Sequence, residues 1–84
     1  MNLTYLKQRG FKIVTNWQEC NKKSIFLFDS NNNSKFTKYI NLAIKNKCIY
    51  FICNIKYKKI IKNNSINYFF YKTKKDLESI IRIF

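Results

Sequence analysis

The side chains in this sequence that can do chemistry are almost all cationic. Seventeen residues are Lys or Arg, four are Asp or Glu and none is His, so the formal net charge is +13. Cationic side chains neutralise phosphates, whereas acid–base and metal chemistry need carboxylates or imidazoles. The composition therefore favours a protein that binds a polymer of negative charge.

Codon composition is an alternative source of these lysines. The sequence is rich in Asn, Lys, Ile, Phe and Tyr, as an AT-rich genome would encode, and Lys outnumbers Arg 15 to 2. Arg would be favoured for bidentate contacts with phosphate or guanine. Four acids are nevertheless few for a solvated surface, which normally mixes both signs of charge. Selection for an anionic partner is the favoured explanation, and codon drift stays open.

Catalysis is not expected from these residue types. Without His, neither a Ser-His-Asp nor a Cys-His scheme can be built, and one glycine leaves no phosphate-binding loop. Asp76 and Glu78 are expected to cap the start of a helix and to interact favourably with its dipole. Glu19 and Asp29 are the one pair that could share a metal, but a turn Asp more often accepts a local hydrogen bond. We predict no catalytic residue, no metal site and no cofactor.

The cysteines and the apolar runs indicate the cellular compartment in which the protein is expected. Cys20, Cys48 and Cys53 are odd in number and form no CxxC pair, which favours free thiols in a reducing, intracellular compartment. The longest apolar run, residues 48–53, is far shorter than the roughly 20 residues of a membrane span. The first ten residues lack the apolar segment of a secretory signal. We expect the mitochondrial matrix if the chain is organelle-encoded, and otherwise the host cytoplasm.

The hydrophobic pattern predicts a single basic α+β domain over residues 1–84. Alternating apolar residues predict strands, and apolar residues at helical spacing predict helices. Asn2 is the predicted N-cap of the first helix and Gly10 its left-handed terminator, and Thr73 to Asp76 resemble a capping box at the start of the last helix. The simplest packing of the elements is a four-stranded antiparallel sheet with helices on one face and an open opposite face. The predicted order α-β-β-α-β-β-α comprises a helix over 3–9, strands over 11–17 and 25–28, a helix over 35–46, strands over 48–62 and 66–72, and a helix from Thr73 to Phe84.

Cationic residues on the exposed sides of these elements are the candidate nucleic-acid contacts. Lysines cluster on the outer face of the central helix and on the open sheet face. The predicted contacts are Arg9, Lys12, Lys35, Lys38, Lys45, Lys56, Lys58, Lys62 and Lys72. Tyr57, Tyr68 and Tyr71 are candidates for base stacking, and core packing of this aromatic-rich region is the alternative.

The element order and residues 67–84 resemble a known family. The segment Asn67-Tyr-Phe-Phe-Tyr-Lys-Thr-Lys-Lys-Asp-Leu-Glu-Ser-Ile-Ile-Arg-Ile-Phe84 is similar to the second half of a LAGLIDADG-type homing endonuclease domain. In that family, the first helix ends just before a glycine in an acid that holds the catalytic metal. Here Arg9 stands nearest that position, before Gly10, and a cation cannot coordinate Mg²⁺. The resemblance implies a saddle-shaped nucleic-acid-binding fold that has lost its nuclease site.

These observations favour a non-enzymatic nucleic-acid-binding structural protein. RNA is the expected partner ahead of DNA, within a larger ribonucleoprotein, and an organelle-encoded ribosomal protein would fit. Neither a membrane nor a small-molecule substrate is expected. Two alternatives stay open: a phage or viral accessory protein that inhibits a host nucleoprotein defence complex, in the manner of an anti-CRISPR protein, and a homing-endonuclease half-domain that is active as a dimer.

Overall fold

The computed structural model describes residues 2–30, 32–61 and 65–84. It is an α+β fold around a four-stranded sheet of order β1-β2-β3-β4. The strands are β1 (Lys12–Val14), β2 (Ser24–Phe28), β3 (Tyr50–Asn54) and β4 (Asn67–Tyr71). The helices are α1 (Leu3–Gln8), α2 (Asn33–Lys45) and α3 (Lys74–Arg82), with 3₁₀ helices at Trp17–Glu19 and Ile55–Ile60.

Every strand pair in this sheet is parallel, so the predicted antiparallel sheet is wrong. An antiparallel sheet would need the polar residues before β2 and before β4 to form hairpin turns. A parallel pair instead needs a connection that carries the chain back to the starting edge of the sheet. The 3₁₀ helix Trp17–Glu19 lies in the first such connection, α2 in the second and the 3₁₀ helix Ile55–Ile60 in the third.

The sequence signal for parallel pairing lies in its continuous apolar runs. All five residues of β2 are buried, as are the first four residues of β3. Strands covered on both faces read as continuous apolar runs, which is typical of parallel sheets. The alternation over 48–62 is not one long strand, because β3 ends at Asn54. The Asn54 side chain accepts a hydrogen bond from the Lys56 backbone N–H at 2.9 Å and begins the second 3₁₀ helix.

Helices cover both faces of the sheet, so the predicted open face is also wrong. The face that carries Phe26 and Phe51 packs against α2, and we call it the α2 face. Both 3₁₀ connections lie on this same face, since Tyr57 belongs to its buried cluster and Trp17 packs against that cluster. The opposite face packs against α1 and α3 through Leu3, Leu6, Ile25, Leu27, Ile52 and Leu77.

The helix ends follow the local signals in the sequence. The Asn2 side chain caps α1 by accepting the Tyr5 backbone N–H at 2.8 Å, and Gly10, at a φ of +85°, follows the helix end as predicted. At the start of α3, Thr73 and Asp76 form the predicted capping box, in which each side chain accepts the other residue's backbone N–H. These local predictions are confirmed because they depend only on residues a few positions apart.

All three cysteines are free, as expected, and all three are buried. Burial raises the pKa of the Cys20 and Cys53 thiols from 9.0 to about 12. Both thiols are therefore neutral at physiological pH and pack as small apolar side chains.

Candidate nucleic-acid interface

Every Lys and Arg side chain in the described residues is exposed to solvent. Two of the four acids have neutral partners. The Asp76 carboxylate accepts the backbone N–H groups of Lys72 and Thr73, both at 3.2 Å, and the Asp29 carboxylate accepts the Tyr71 hydroxyl at 3.1 Å. Both carboxylates accept hydrogen bonds from neutral groups of the protein and stabilise the fold in this way. The positive charge of the chain therefore faces solvent, where an anionic partner can reach it.

The predicted contacts Arg9 and Lys12 lie at the amino-terminal ends of the strands, which we call the amino edge. The Arg9 guanidinium carbon lies 5.0 Å from the centroid of the Tyr5 ring. Lys23 is not among the predicted contacts, yet it joins this group just before β2. Its Nζ donates to the Arg9 carbonyl at 3.0 Å and lies 4.9 Å from the Phe11 ring centroid. Only the parallel pairing of β1 and β2 brings these cations together, so no local pattern indicates it.

The second cationic surface is the outer face of α2. Lys35, Lys38 and Lys45 are exposed there, and Phe36 and Ile40 are buried on the inner face. The predicted division of this helix into an apolar side and a lysine side is therefore confirmed.

The third cationic surface lies beyond the carboxyl-terminal ends of the strands, which we call the carboxyl edge. Lys56 follows β3, and Lys72 follows β4. Lys58 is exposed in the 3₁₀ helix after β3. Lys62 lies outside the described residues. The predicted contacts thus occupy three surfaces and do not share one open sheet face, because α2, the 3₁₀ connections, α1 and α3 cover both faces.

The tyrosines proposed for base stacking pack within the protein. Tyr57 is 2% exposed, and its ring stacks on Phe36 with centroids 4.2 Å apart. Tyr71 is 7% exposed, and half-buried Tyr68 stacks on two phenylalanine rings of the α2 face. Burial also raises the pKa of Tyr68 to about 12. The burial of Tyr57 and Tyr71 favours the core-packing alternative over base stacking.

Two tyrosine hydroxyls fix the segment that follows β2. Tyr57 donates to the Ser30 carbonyl at 2.9 Å, and Tyr71 donates to the Asp29 carboxylate at 3.1 Å. Burial raises the pKa of Tyr71, and the bond to Asp29 raises it further, so the phenol keeps its proton. Because Tyr57 follows β3 and Tyr71 ends β4, these two bonds tie together the exits of three strands.

We expect Tyr57→Phe and Tyr71→Phe each to lower the free energy of unfolding by about 1 to 2 kcal/mol. Each change removes one partly buried hydrogen bond between two strand exits. Urea denaturation at neutral pH measures the effect. Tyr5→Phe, at an exposed ring on α1, is the matched control and should leave stability unchanged. Equal stabilities of all three variants would contradict a structural role for these hydroxyls.

Within the described ranges, no group of three or more His, Cys, Asp or Glu residues is placed to hold a metal ion. The helices in the described part of the chain are also too short or too polar to cross a bilayer. Comparisons with protein-family models, curated proteins and solved structures found no match. The functional assignment therefore depends on the geometry and charge of the chain itself.

Proposed function

We propose that this chain is a non-enzymatic nucleic-acid-binding protein that binds RNA in preference to DNA within a larger ribonucleoprotein. One observation carries the proposal: every described Lys and Arg side chain is exposed on a chain with a net charge of +13. Contacts between lysines and phosphates supply most sequence-independent affinity for nucleic acids. Since only two residues are Arg, the contacts position the partner more than they read its bases.

The placement of the cations supports a partner that surrounds the protein. The amino edge and the carboxyl edge lie at opposite ends of the strands, and the α2 surface lies over one face. These surfaces belong to a body of only 32 × 29 × 22 Å. A protein that reads one groove concentrates its charge on one side, whereas cations on several sides suit a small protein enclosed by folded RNA. A structural protein of an organellar ribosome fits this description.

The test is the salt dependence of RNA binding, measured by fluorescence anisotropy with a structured RNA and with a DNA of the same sequence. If about five phosphates are contacted, the slope of log K against log salt concentration should be about −4. The triple variant K35Q/K38Q/K45Q should reduce the magnitude of that slope by about 2. Asn41→Gln on α2 is the uncharged control and should leave the slope unchanged.

A flat response to salt would overturn the proposal. Equal affinity for RNA and DNA would remove the RNA preference. Tight one-to-one capture of a host protein without nucleic acid would favour the viral accessory alternative.

A further inference from the structure

The chain leaves two neighbouring strands in opposite directions at the carboxyl edge. After β3 it turns onto the α2 face, where Tyr57 belongs to the buried cluster. After β4 it turns onto the other face, where Leu77 of α3 is buried. When the elements that follow two adjacent parallel strands pack on opposite faces of the sheet, a crevice opens between the carboxyl ends of those strands. Ligands of open parallel sheets bind in this kind of crevice.

A depression of about 370 Å³ lies at this point of the structure. Its volume falls within the range of small-ligand sites. Its walls come from the exits of three strands, which the hydroxyls of Tyr57 and Tyr71 hold together. The lining residues are Asp29, Ser30, Asn54, Lys56, Tyr71, Lys74 and Leu77. Six of these seven side chains carry polar groups, so the site suits a hydrophilic ligand.

The charges in the crevice specify the ligand further. Lys56 lines the crevice from the 3₁₀ helix on the α2 face, with its Nζ 5.2 Å from the Tyr57 ring centroid, and Lys74, the first residue of α3, lines it from the opposite side. Two ammonium groups on either side of a crevice can both donate to a phosphate. Asp29 also lines the crevice, where Tyr71 fixes its carboxylate. A carboxylate repels a phosphate but accepts hydrogen bonds from hydroxyl groups, so the ligand should carry both groups.

We propose that this crevice binds a phosphate monoester whose organic part carries hydroxyl groups, with Lys56 and Lys74 on the phosphate and Asp29 on a hydroxyl. A free sugar phosphate and the 5′-phosphorylated end of an RNA share this chemistry. The site does not depend on the proposed function, because it needs one crevice rather than the net charge of the whole surface.

Calorimetric titration with ribose 5-phosphate at fixed ionic strength tests the site. The protein should bind ribose 5-phosphate more tightly than it binds ribose or inorganic phosphate. Lys56→Gln and Lys74→Gln should each weaken binding about tenfold, by loss of a charge-assisted hydrogen bond. Lys22→Gln, at an exposed position before β2 and therefore at the opposite end of the strands, removes the same charge and should leave binding unchanged. Equal losses in all three variants, or no binding by the folded protein, would overturn the proposal.

Asp29→Asn tests the proposed contact between Asp29 and a hydroxyl group of the ligand. The amide oxygen still accepts the Tyr71 hydroxyl, so the segment after β2 stays in place, while the negative charge is lost. The preference for ribose 5-phosphate over inorganic phosphate should fall about tenfold, because a neutral acceptor binds the hydroxyl less strongly than a carboxylate does. An unchanged preference would contradict the assigned role of Asp29.

Competition then distinguishes the two sources of the phosphate monoester. A 5′-phosphorylated oligonucleotide that displaces ribose 5-phosphate, when its unphosphorylated counterpart does not, would assign the crevice to an RNA end. Failure of both oligonucleotides to displace it would assign the crevice to a free sugar phosphate. Displacement by both equally would show that the crevice does not recognise a phosphate monoester.

Discussion

Phe51→Ala should lower the free energy of unfolding by about 3 to 5 kcal/mol. Phe51 is fully buried on β3, a middle strand of the sheet. Its ring meets Phe26 edge-on with centroids 6.1 Å apart, and it stacks on Tyr68 at 5.4 Å. Alanine removes both ring contacts and leaves a cavity that the paired strands cannot close. A domain of this size has a total stability of only about 4 to 13 kcal/mol, so the variant should be close to unfolding.

Urea denaturation followed by circular dichroism checks this expectation, with two companion variants. Phe51→Leu keeps most of the side-chain volume and should cost less than half as much as Phe51→Ala. Ile81→Ala changes an apolar side chain on α3 that is 43% exposed and should cost less than about 1 kcal/mol. Equal losses in Phe51→Ala and Ile81→Ala would show that the α2 face is not the main core.

The second large effect is a loss of stability in alkaline solution. Burial raises the pKa of the Cys20 and Cys53 thiols from 9.0 to about 12. Between these two values, the unfolded chain has released its thiol protons while the folded chain keeps them. The folded state therefore binds more protons, and the free energy of unfolding falls as the pH rises through that interval. Each thiol contributes a slope of up to about 1.4 kcal/mol per pH unit, and below pH 9 its contribution is fully present.

Urea midpoints measured from pH 7 to pH 11 under reducing conditions test this slope. Cys53→Ala removes one buried thiol and should flatten the decline above pH 9, even if the variant is less stable at neutral pH. The other titrating groups are shared by both proteins, so the difference in slope measures the Cys53 thiol together with its effect on the raised pKa values of Tyr57, Tyr68 and Tyr71. A decline of the same steepness in both proteins would show that Cys53 does not cause it.

Local structure could be predicted from the sequence, but strand direction could not. The caps at Asn2 and Thr73 and the left-handed Gly10 depend on neighbouring residues, and the structure contains them. Strand direction depends on how the chain crosses between strands. The connection after β1 contains Trp17 and Cys20, which pack on the α2 face and carry the chain back to the amino edge. In the sequence alone, Trp17 continues the alternation of the predicted strand over 11–17, and the polar residues after it resemble a turn.

Of the candidate sites, the exposed lysines could be predicted from the sequence and the crevice could not. Exposure of the lysines follows from the cost of removing a charge from water, so it could be predicted. The carboxyl-edge crevice could not, because Asp29, Lys56 and Lys74 follow three different strands. They meet only when those strands are parallel neighbours. The resemblance of residues 67–84 to a LAGLIDADG-type domain does not indicate this crevice. The resemblance itself stays a prediction.

The spatial order of the strands repeats their order along the chain. On a ribosome, each new strand would therefore emerge beside a neighbour that has already been synthesised, and no strand would wait for a distant partner. The cluster on the α2 face could begin to assemble once β3 has left the exit tunnel. The bond between Tyr71 and Asp29 spans 42 residues and can form only after β4 has emerged, so it marks the addition of the last strand during vectorial folding.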